Sequence, residues 1–210
     1  MKKLFLIGLL LAIFTSADAQ REFKGGILAG GVTSQISGDG LGGWDKFGFT
    51  AGAWVNAPLT DKMGLNVGLK YITKGSRTEQ DTLTFNSFGF YLNYIDVPVL
   101  LSFDIQKKQS KFTVSVGPYI GILLKQEIRI NGASYDVIPA FKKQDIGGQL
   151  GFAWWPTEKL FFEFDIASSI LPTRPAPAVV NKNSYYEQGN YNQVLQLVLG
   201  LRFGGGTKSE

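Results

Sequence analysis

Residues 111–126 read KFTVSVGPYIGILLKQ, and this stretch decides the fold because apolar residues alternate with small or polar ones along its length. The apolar set is Phe112, Val114, Val116, Pro118, Ile120, Ile122 and Leu124. The other set is Thr113, Ser115, Gly117, Tyr119 and Gly121, ending at Lys125. A period of two predicts a β-strand with one apolar face. The stretch exceeds the about nine to eleven residues that a tilted membrane strand needs.

The same alternation recurs along the chain and predicts eight strands. Their approximate ranges are 22–33, 47–57, 64–74, 88–103, 111–126, 145–155, 160–170 and 191–203. The connections alternate between long and short without exception, which places all long loops at one end of an up-and-down barrel. The predicted fold is therefore all-β: an eight-stranded antiparallel up-and-down transmembrane β-barrel with short periplasmic turns and long extracellular loops. An Asn-Gly pair at 131–132 predicts a hairpin that projects from one long loop.

The two ends of the chain differ from this pattern. Residues 1–19 contain two lysines, a short apolar run and the sequence Ala17-Asp18-Ala19, which together predict a cleaved signal peptide. A buried N-terminal helix is the alternative. Residues 20–203 are the predicted barrel domain, and residues 204–210 are a predicted flexible C-terminal tail. These features predict export to the outer membrane of a Gram-negative bacterium.

Aromatic residues gather at the short-turn ends of the predicted strands. A girdle of aromatic rings at the membrane–water interface requires such a distribution. The alternative is that the rings fill the bottom of a soluble barrel. The residues of the predicted periplasmic girdle are Trp54, Phe103, Phe112, Trp154, Trp155, Phe161, Phe162 and Phe203.

Ionisable residues within the strands fall on the small or polar face, which predicts that this face lines the lumen. Eight strands enclose a space that side chains nearly fill, so buried charges need partners. We expect two cross-strand ion pairs, Lys70–Asp96 and Glu163–Arg202, with separately hydrated side chains as the alternative. The predicted lumen charges are Lys70, Asp96, Glu163, Asp165 and Arg202.

The composition excludes many kinds of chemistry. The chain of 210 residues has no His and no Cys, which excludes a Ser-His-Asp triad and cysteine-ligated metals. The spacing of Glu163 and Asp165 puts two acids on one face, but charge balance in the lumen explains them better than acid–base catalysis. The net charge of +4 is too small and too scattered to predict nucleic-acid binding. We expect no catalytic residue, no cofactor and no metal.

Two strands carry motifs of a known family. The segments NYIDVPVLLSF and FTVSVGPYIGILL resemble the PorT-like outer-membrane β-barrel family, in which an acidic-aliphatic-Pro strand precedes a Gly-Pro-Tyr strand. The motif positions here are Asp96, Pro98, Gly117, Pro118 and Tyr119. The resemblance implies an eight-stranded barrel in the outer membrane, and one branch of the family takes part in protein secretion.

Three functions compete. The first is a non-enzymatic barrel with a closed, charge-paired lumen that acts as a scaffold, an interaction surface or an accessory subunit of an envelope or secretion complex. Its partners would be outer-membrane lipid and other envelope proteins, reached through the long loops or the periplasmic rim. The second is a narrow solute or ion pore. The third is a soluble periplasmic lipocalin-like ligand binder.

Overall fold

The computed structural model describes residues 23–78, 87–107, 110–175 and 189–203, and within them the chain forms ten β-strands. The strands are β1 (Lys24–Ser37), β2 (Lys46–Pro58), β3 (Met63–Arg77), β4 (Phe88–Lys107), β5 (Ser110–Ile130), β6 (Ala133–Tyr135), β7 (Gln144–Trp155), β8 (Leu160–Ser169), β9 (Arg174–Pro175) and β10 (Gly189–Phe203). The predicted segments 1–19 and 204–210 lie outside the described residues. Across the described ranges no helix is long and apolar enough to cross a membrane.

Eight of these strands form a closed antiparallel ring. Their order is β1-β2-β3-β4-β5-β7-β8-β10, and β10 pairs back with β1 from Gly25↔Phe203 to Ser37↔Tyr191. The short strand β6 extends the end of β5, and β9 pairs with the start of β10. The predicted up-and-down barrel of eight strands is confirmed, and each predicted strand corresponds to one strand of the ring.

The strands extend further than predicted at the end where the long loops lie. β5 continues to Ile130 and turns at Asn131 and Gly132, which have φ values of 51° and 84°. Positive φ at both central residues is the requirement of a type I′ hairpin turn, which Asn-Gly satisfies. β6 then pairs back on β5, as the Asn-Gly signal predicted. We call this end of the barrel the loop rim, and the end with the short connections that follow β2, β4 and β7 the turn rim.

The alternation of the sequence becomes an alternation of exposure. On β10, Leu197 is 64% exposed and points outward, whereas its neighbours Gln196 and Val198 are 2% and 1% exposed and point into the barrel. Leu69 and Lys70 on β3 behave in the same way, at 58% and 2%. The outer surface is therefore apolar and the interior carries the polar and charged groups, which is the reverse of a soluble barrel.

Gly200 and Phe161 show how tightly the turn-rim half is packed. The Phe161 ring lies over Gly200, where a Cβ atom would overlap it. The ring cannot move aside easily because its centroid is 4.7 Å from that of Trp155 and 5.7 Å from that of Trp54. We expect Gly200→Ala to lower the free energy of unfolding by about 1–3 kcal/mol. Urea unfolding in detergent micelles, followed by tryptophan fluorescence, measures the loss.

Gly31→Ala is the matched control, because Gly31 lies on the neighbouring strand β1 and a Cβ there meets no atom within 4 Å. We expect its unfolding free energy to stay within about 0.5 kcal/mol of the wild-type value. Equal losses in the two variants would contradict the packing of Phe161 over Gly200.

Candidate functional site: the charged interior of the barrel

The centre of the interior is the Lys74 cluster, which comprises Lys74, Asp96, Asp145, Tyr94 and Tyr119. Lys74 Nζ lies 2.8 Å from Asp96 Oδ2 and 2.9 Å from Asp145 Oδ2. The rings of Tyr94 and Tyr119 lie on either side, with centroids 4.7 and 4.6 Å from the same nitrogen. The five residues come from β3, β4, β5 and β7, so the cluster ties together half of the ring.

Asp145 collects the largest number of hydrogen bonds in the cluster. Ser169 Oγ donates to it at 2.6 Å, Asn192 Nδ2 at 2.9 Å and the Tyr119 hydroxyl at 3.3 Å. Lys74 and Asp145 are 1% and 0% exposed. A buried charge is tolerated only when ion pairing and hydrogen bonds replace its hydration. The donors around Asp145 and the two carboxylates around Lys74 meet that requirement.

Lys70 forms a second charged level, closer to the turn rim. Its Nζ lies 3.8 Å from Asp165 Oδ2 and donates to Gln149 Oε1 and Gln196 Oε1, both at 3.3 Å. These partners are on β7, β8 and β10, across the lumen from β3. A lysine side chain therefore spans the narrow interior instead of contacting its neighbouring strand.

The predicted ion pair Lys70–Asp96 is wrong. The two residues are register partners on β3 and β4, but Asp96 pairs with Lys74 and Lys70 reaches Asp165. The prediction assumed that partners lie on adjacent strands at one height. In a barrel this narrow the opposite wall is within the reach of a lysine, and Lys74 places its ammonium between the carboxylates of β4 and β7.

The predicted pair Glu163–Arg202 is also not formed. Glu163 accepts a hydrogen bond from Ser115 Oγ at 3.4 Å. The guanidinium of Arg202 instead lies over the Trp155 ring, 5.5 Å from its centroid. The physical reason is the position of the aromatic rings, which lie at the turn-rim end and give the cation a face to stack on.

Sequence reasoning missed Lys74 and Asp145, the two most buried charged members of the central cluster. Lys74 has the same parity as Lys70 and lies four residues further along β3. Lys74 lies at the predicted end of its strand and Asp145 at the predicted start of its strand. Alternation places both on the inward face, but a charge at a strand end is equally consistent with a solvated loop boundary.

The residues of the PorT-like motif fall in or beside the same cluster. Asp96 and Tyr119 contact Lys74 directly. Pro98 lies on the buried face of β4, and Gly117 lies against the backbone of Val99, where a Cβ would not fit. Pro118 points outward.

The eight residues of the predicted girdle divide by direction. Successive side chains of a strand point to opposite faces, so the adjacent pairs 154–155 and 161–162 cannot both face lipid. Phe161 is 3% exposed and packs with Trp54 and Trp155 inside the barrel, so the prediction is wrong for these three residues, which we call the aromatic group. The outward-facing members are Phe103, Phe112, Trp154, Phe162 and Phe203.

An apolar plug closes the barrel at the loop rim. Its buried members are Val32, Ile36, Ile72, Phe90, Leu92, Val137, Phe141 and Val194. Val137 and Phe141 come from the segment between β6 and β7, which therefore folds over the opening. Arg174 lies over Phe90 and Phe141, 5.3 and 5.5 Å from the ring centroids, and donates to the Ile138 carbonyl oxygen at 3.1 Å.

Partly buried charges complete the loop rim. Burial raises the pKa of the Asp39 carboxyl, even though Ser76 Oγ and the Leu41 amide donate hydrogen bonds to it. Burial lowers the pKa of Arg174, and the negative charge of Asp39 opposes that shift. Within the part of the chain that the structure describes, no three His, Cys, Asp or Glu side chains are grouped so as to hold a metal ion.

A closed ring of eight strands with an apolar outer surface and a charged interior defines a small outer-membrane β-barrel. The chain belongs to the outer membrane protein beta-barrel domain family, whose model matches residues 16–173. The protein is therefore located in the outer membrane. No curated relative matches the chain in sequence.

The chain is similar to solved structures of small barrels. The attachment invasion locus protein Ail of Yersinia pestis has a TM-score of 0.50 and 16% identity, over 87% of this chain and 100% of Ail. Neisserial surface protein A has a TM-score of 0.46 and 11% identity, over 86% and 97% of the two chains. OprG of Pseudomonas aeruginosa has a TM-score of 0.41 and 13% identity, over 87% and 95%. At these identities the likeness to Ail concerns the fold alone.

Lys74 is the residue on which the interior depends, because its removal leaves the Asp96 and Asp145 carboxylates buried side by side. We expect Lys74→Met to lower the free energy of unfolding by about 3–5 kcal/mol. Urea unfolding of the refolded barrel in detergent micelles measures the change.

Lys125→Met provides the control with the same chemical substitution. The Lys125 side chain is 63% exposed and lies 2.7 Å from Glu127, so we expect a loss of at most about 1 kcal/mol. The role of Lys74 is disproved if its substitution is as mild as that of Lys125.

Proposed function

We propose that this protein is a non-enzymatic, non-conducting barrel of the PorT-like kind that works by contact, as a scaffold, an interaction surface or an accessory subunit of an envelope or secretion complex. The observation that carries the proposal is the closed loop-rim half of the lumen. There the Lys74 cluster and the apolar plug follow one another along the barrel axis. A solute would have to displace both a compensated ion cluster and a packed apolar layer.

The hairpin formed by β5 and β6 supports a contact function. At about 3.3 Å per residue and a tilt of about 45°, the 21 residues of β5 rise through about 50 Å, twice the apolar band of about 25 Å that such barrels present to lipid. The hairpin therefore projects beyond the membrane. It and the segment after it expose Ile130, Tyr135 and Ile138, at 42%, 55% and 83%. Exposed apolar side chains outside the lipid are typical of a protein-binding surface.

Conductance distinguishes this proposal from the alternative of a narrow pore. We expect the refolded wild-type protein to give no reproducible single-channel steps in planar lipid bilayers, because the plug and the Lys74 cluster fill the lumen. The insertion of the protein is checked by heat-modifiable gel migration of the same preparation. Reproducible steps of one size would overturn the closed barrel and favour the pore.

Co-purification tests the contact function. We expect an envelope protein to co-purify with the tagged chain from detergent extracts, and Ile138→Ser to reduce its recovery about tenfold, the effect of losing a contact worth 1.4 kcal/mol. Leu59→Ser is the matched control, because Leu59 is a 50% exposed apolar residue at the opposite, turn rim. If the partner is lost in Leu59→Ser and kept in Ile138→Ser, the contact surface is at the periplasmic rim and not at the outer hairpin. Recovery of no stable partner from wild-type extracts would exclude the accessory subunit.

A further inference from the structure

The turn-rim half of the barrel is not filled as the loop-rim half is. It contains a cavity of about 130 Å³, which lies between the Lys70 level and the short turns and is lined by residues from both. Its walls include the aromatic group and the apolar residues Leu28, Pro98 and Leu100. In an outer-membrane barrel the short turns face the periplasm, so the cavity opens towards that compartment. A cavity of this size can hold a small organic molecule.

Two hydrogen-bond donors without partners converge at one wall of the cavity. Trp54, Gly26 and Arg202 lie side by side on β2, β1 and β10, since Gly26 is the register partner of both other residues. Because Gly26 has no side chain, the indole nitrogen of Trp54 occupies the space beside it, 2.9 Å from where a Cβ would stand. Trp54 Nε1 and Arg202 Nε are buried and have no hydrogen-bond partner. Both residues line the cavity.

Two acceptors converge at a deeper position, over Gly151. A Cβ on Gly151 would lie 2.6 Å from Asp165 Oδ1 and 2.7 Å from Glu163 Oε1, so both carboxylates occupy the space that glycine leaves. Asp165 is 2% exposed, and its Oδ1 is buried without a hydrogen-bond partner, whereas its Oδ2 faces Lys70. A buried carboxylate oxygen that lacks a partner costs free energy that a ligand donor would recover.

The charges of the cavity are balanced. Four cationic and four anionic side chains line it. Asp165 is compensated by Lys70, and Lys111 lies 2.6 Å from Asp104. An ionic ligand would therefore find no excess of opposite charge. A neutral ligand with hydroxyl groups matches the wall better, because each hydroxyl both donates and accepts a hydrogen bond. Its C–H groups would lie against the aromatic and aliphatic walls.

We propose that this periplasm-facing cavity is a binding site for a small neutral polyhydroxylated solute, a polyol or sugar of about three to five carbons. One hydroxyl accepts hydrogen bonds from Trp54 Nε1 and Arg202 Nε, and another donates to Asp165 Oδ1. The Lys70 level closes the inner end of the site, so the solute enters and leaves through the turn rim.

The Trp54 indole N–H reports binding directly. Of the four tryptophans in the chain, Trp54 lines the cavity and has a buried indole nitrogen without a hydrogen-bond partner, whereas Trp155 Nε1 already donates to Thr113 Oγ1 at 3.0 Å. In ¹H–¹⁵N spectra of the full chain in detergent micelles, we expect xylitol to shift the Trp54 indole peak downfield in a saturable way. The peak of outward-facing Trp154 stays in place. Trp54→Phe assigns the resonance.

Ala153→Leu adds methyl groups to the cavity without removing any of its charged side chains, because Ala153 is a 4% exposed residue of the lining. We expect it to weaken xylitol binding by about tenfold or more, as the ligand and the added methyl groups compete for one space. Ala53→Leu is the matched control, since Ala53 points outward on β2. Heat-modifiable gel migration checks that each variant is folded. If Ala153→Leu does not fold, Trp54→Phe, followed through the Trp155 peak, replaces it as the test.

Further probes decide the class of ligand. Saturable binding of xylitol that is lost in Ala153→Leu and kept in Ala53→Leu supports the proposal. Saturation by alanine or by inorganic phosphate with no response to xylitol would replace the polyol with a zwitterion or an anion and overturn it. The absence of a saturable shift with all three probes would overturn the site itself, while leaving the contact function of the outer hairpin untouched.

Discussion

The burial of the Lys74 ammonium between two carboxylates is the constraint on which the rest of the interior depends. A cation with 1% exposure needs anions within contact distance, and Asp96 and Asp145 provide them from two different strands. Asp145 in turn needs the donors of Ser169, Asn192 and Tyr119. Each of these contacts holds a further strand at a particular height along the barrel axis. The ion cluster therefore sets the register of the barrel interior in addition to filling it.

This arrangement makes the two halves of the lumen different. Towards the loop rim, the Lys74 cluster is covered by the apolar plug, and Arg174 holds the segment after β6 over the opening. Towards the turn rim, three aromatic rings and the Lys70 level line a cavity of about 130 Å³. The closed half is the part that faces outward from the cell, and the open half faces the periplasm. A function by contact outside and a binding site inside are therefore compatible in one small barrel.

The sequence was sufficient for the fold because a period of two is both the signal of a strand and the rule that sorts its side chains. All eight strands of the ring and the inward set of β5, from Thr113 to Gly121, follow from alternation. The ion pairs could not be predicted in the same way. Alternation gives the face of a residue but not the direction in which a long side chain leans, and Lys70 reaches across the lumen to Asp165 instead of to its register partner Asp96.

The aromatic residues show a second limit of prediction from sequence. Trp154 and Trp155 are chemically identical and adjacent, yet one is 43% exposed on the outer surface and the other packs on Phe161 inside the barrel. The presence of aromatic residues at a strand end predicts that both tryptophans belong to the girdle. The alternation of side chains along a strand allows only one of the two adjacent residues to face lipid. Parity also accounts for part of the cavity lining. Because Trp54 and Trp155 point inward, the Trp54 indole N–H lies beside Gly26 and the Arg202 guanidinium lies over the Trp155 ring. Three residues that the sequence assigns to the lipid interface, Trp54, Trp155 and Phe161, thus line the periplasmic half of the lumen instead.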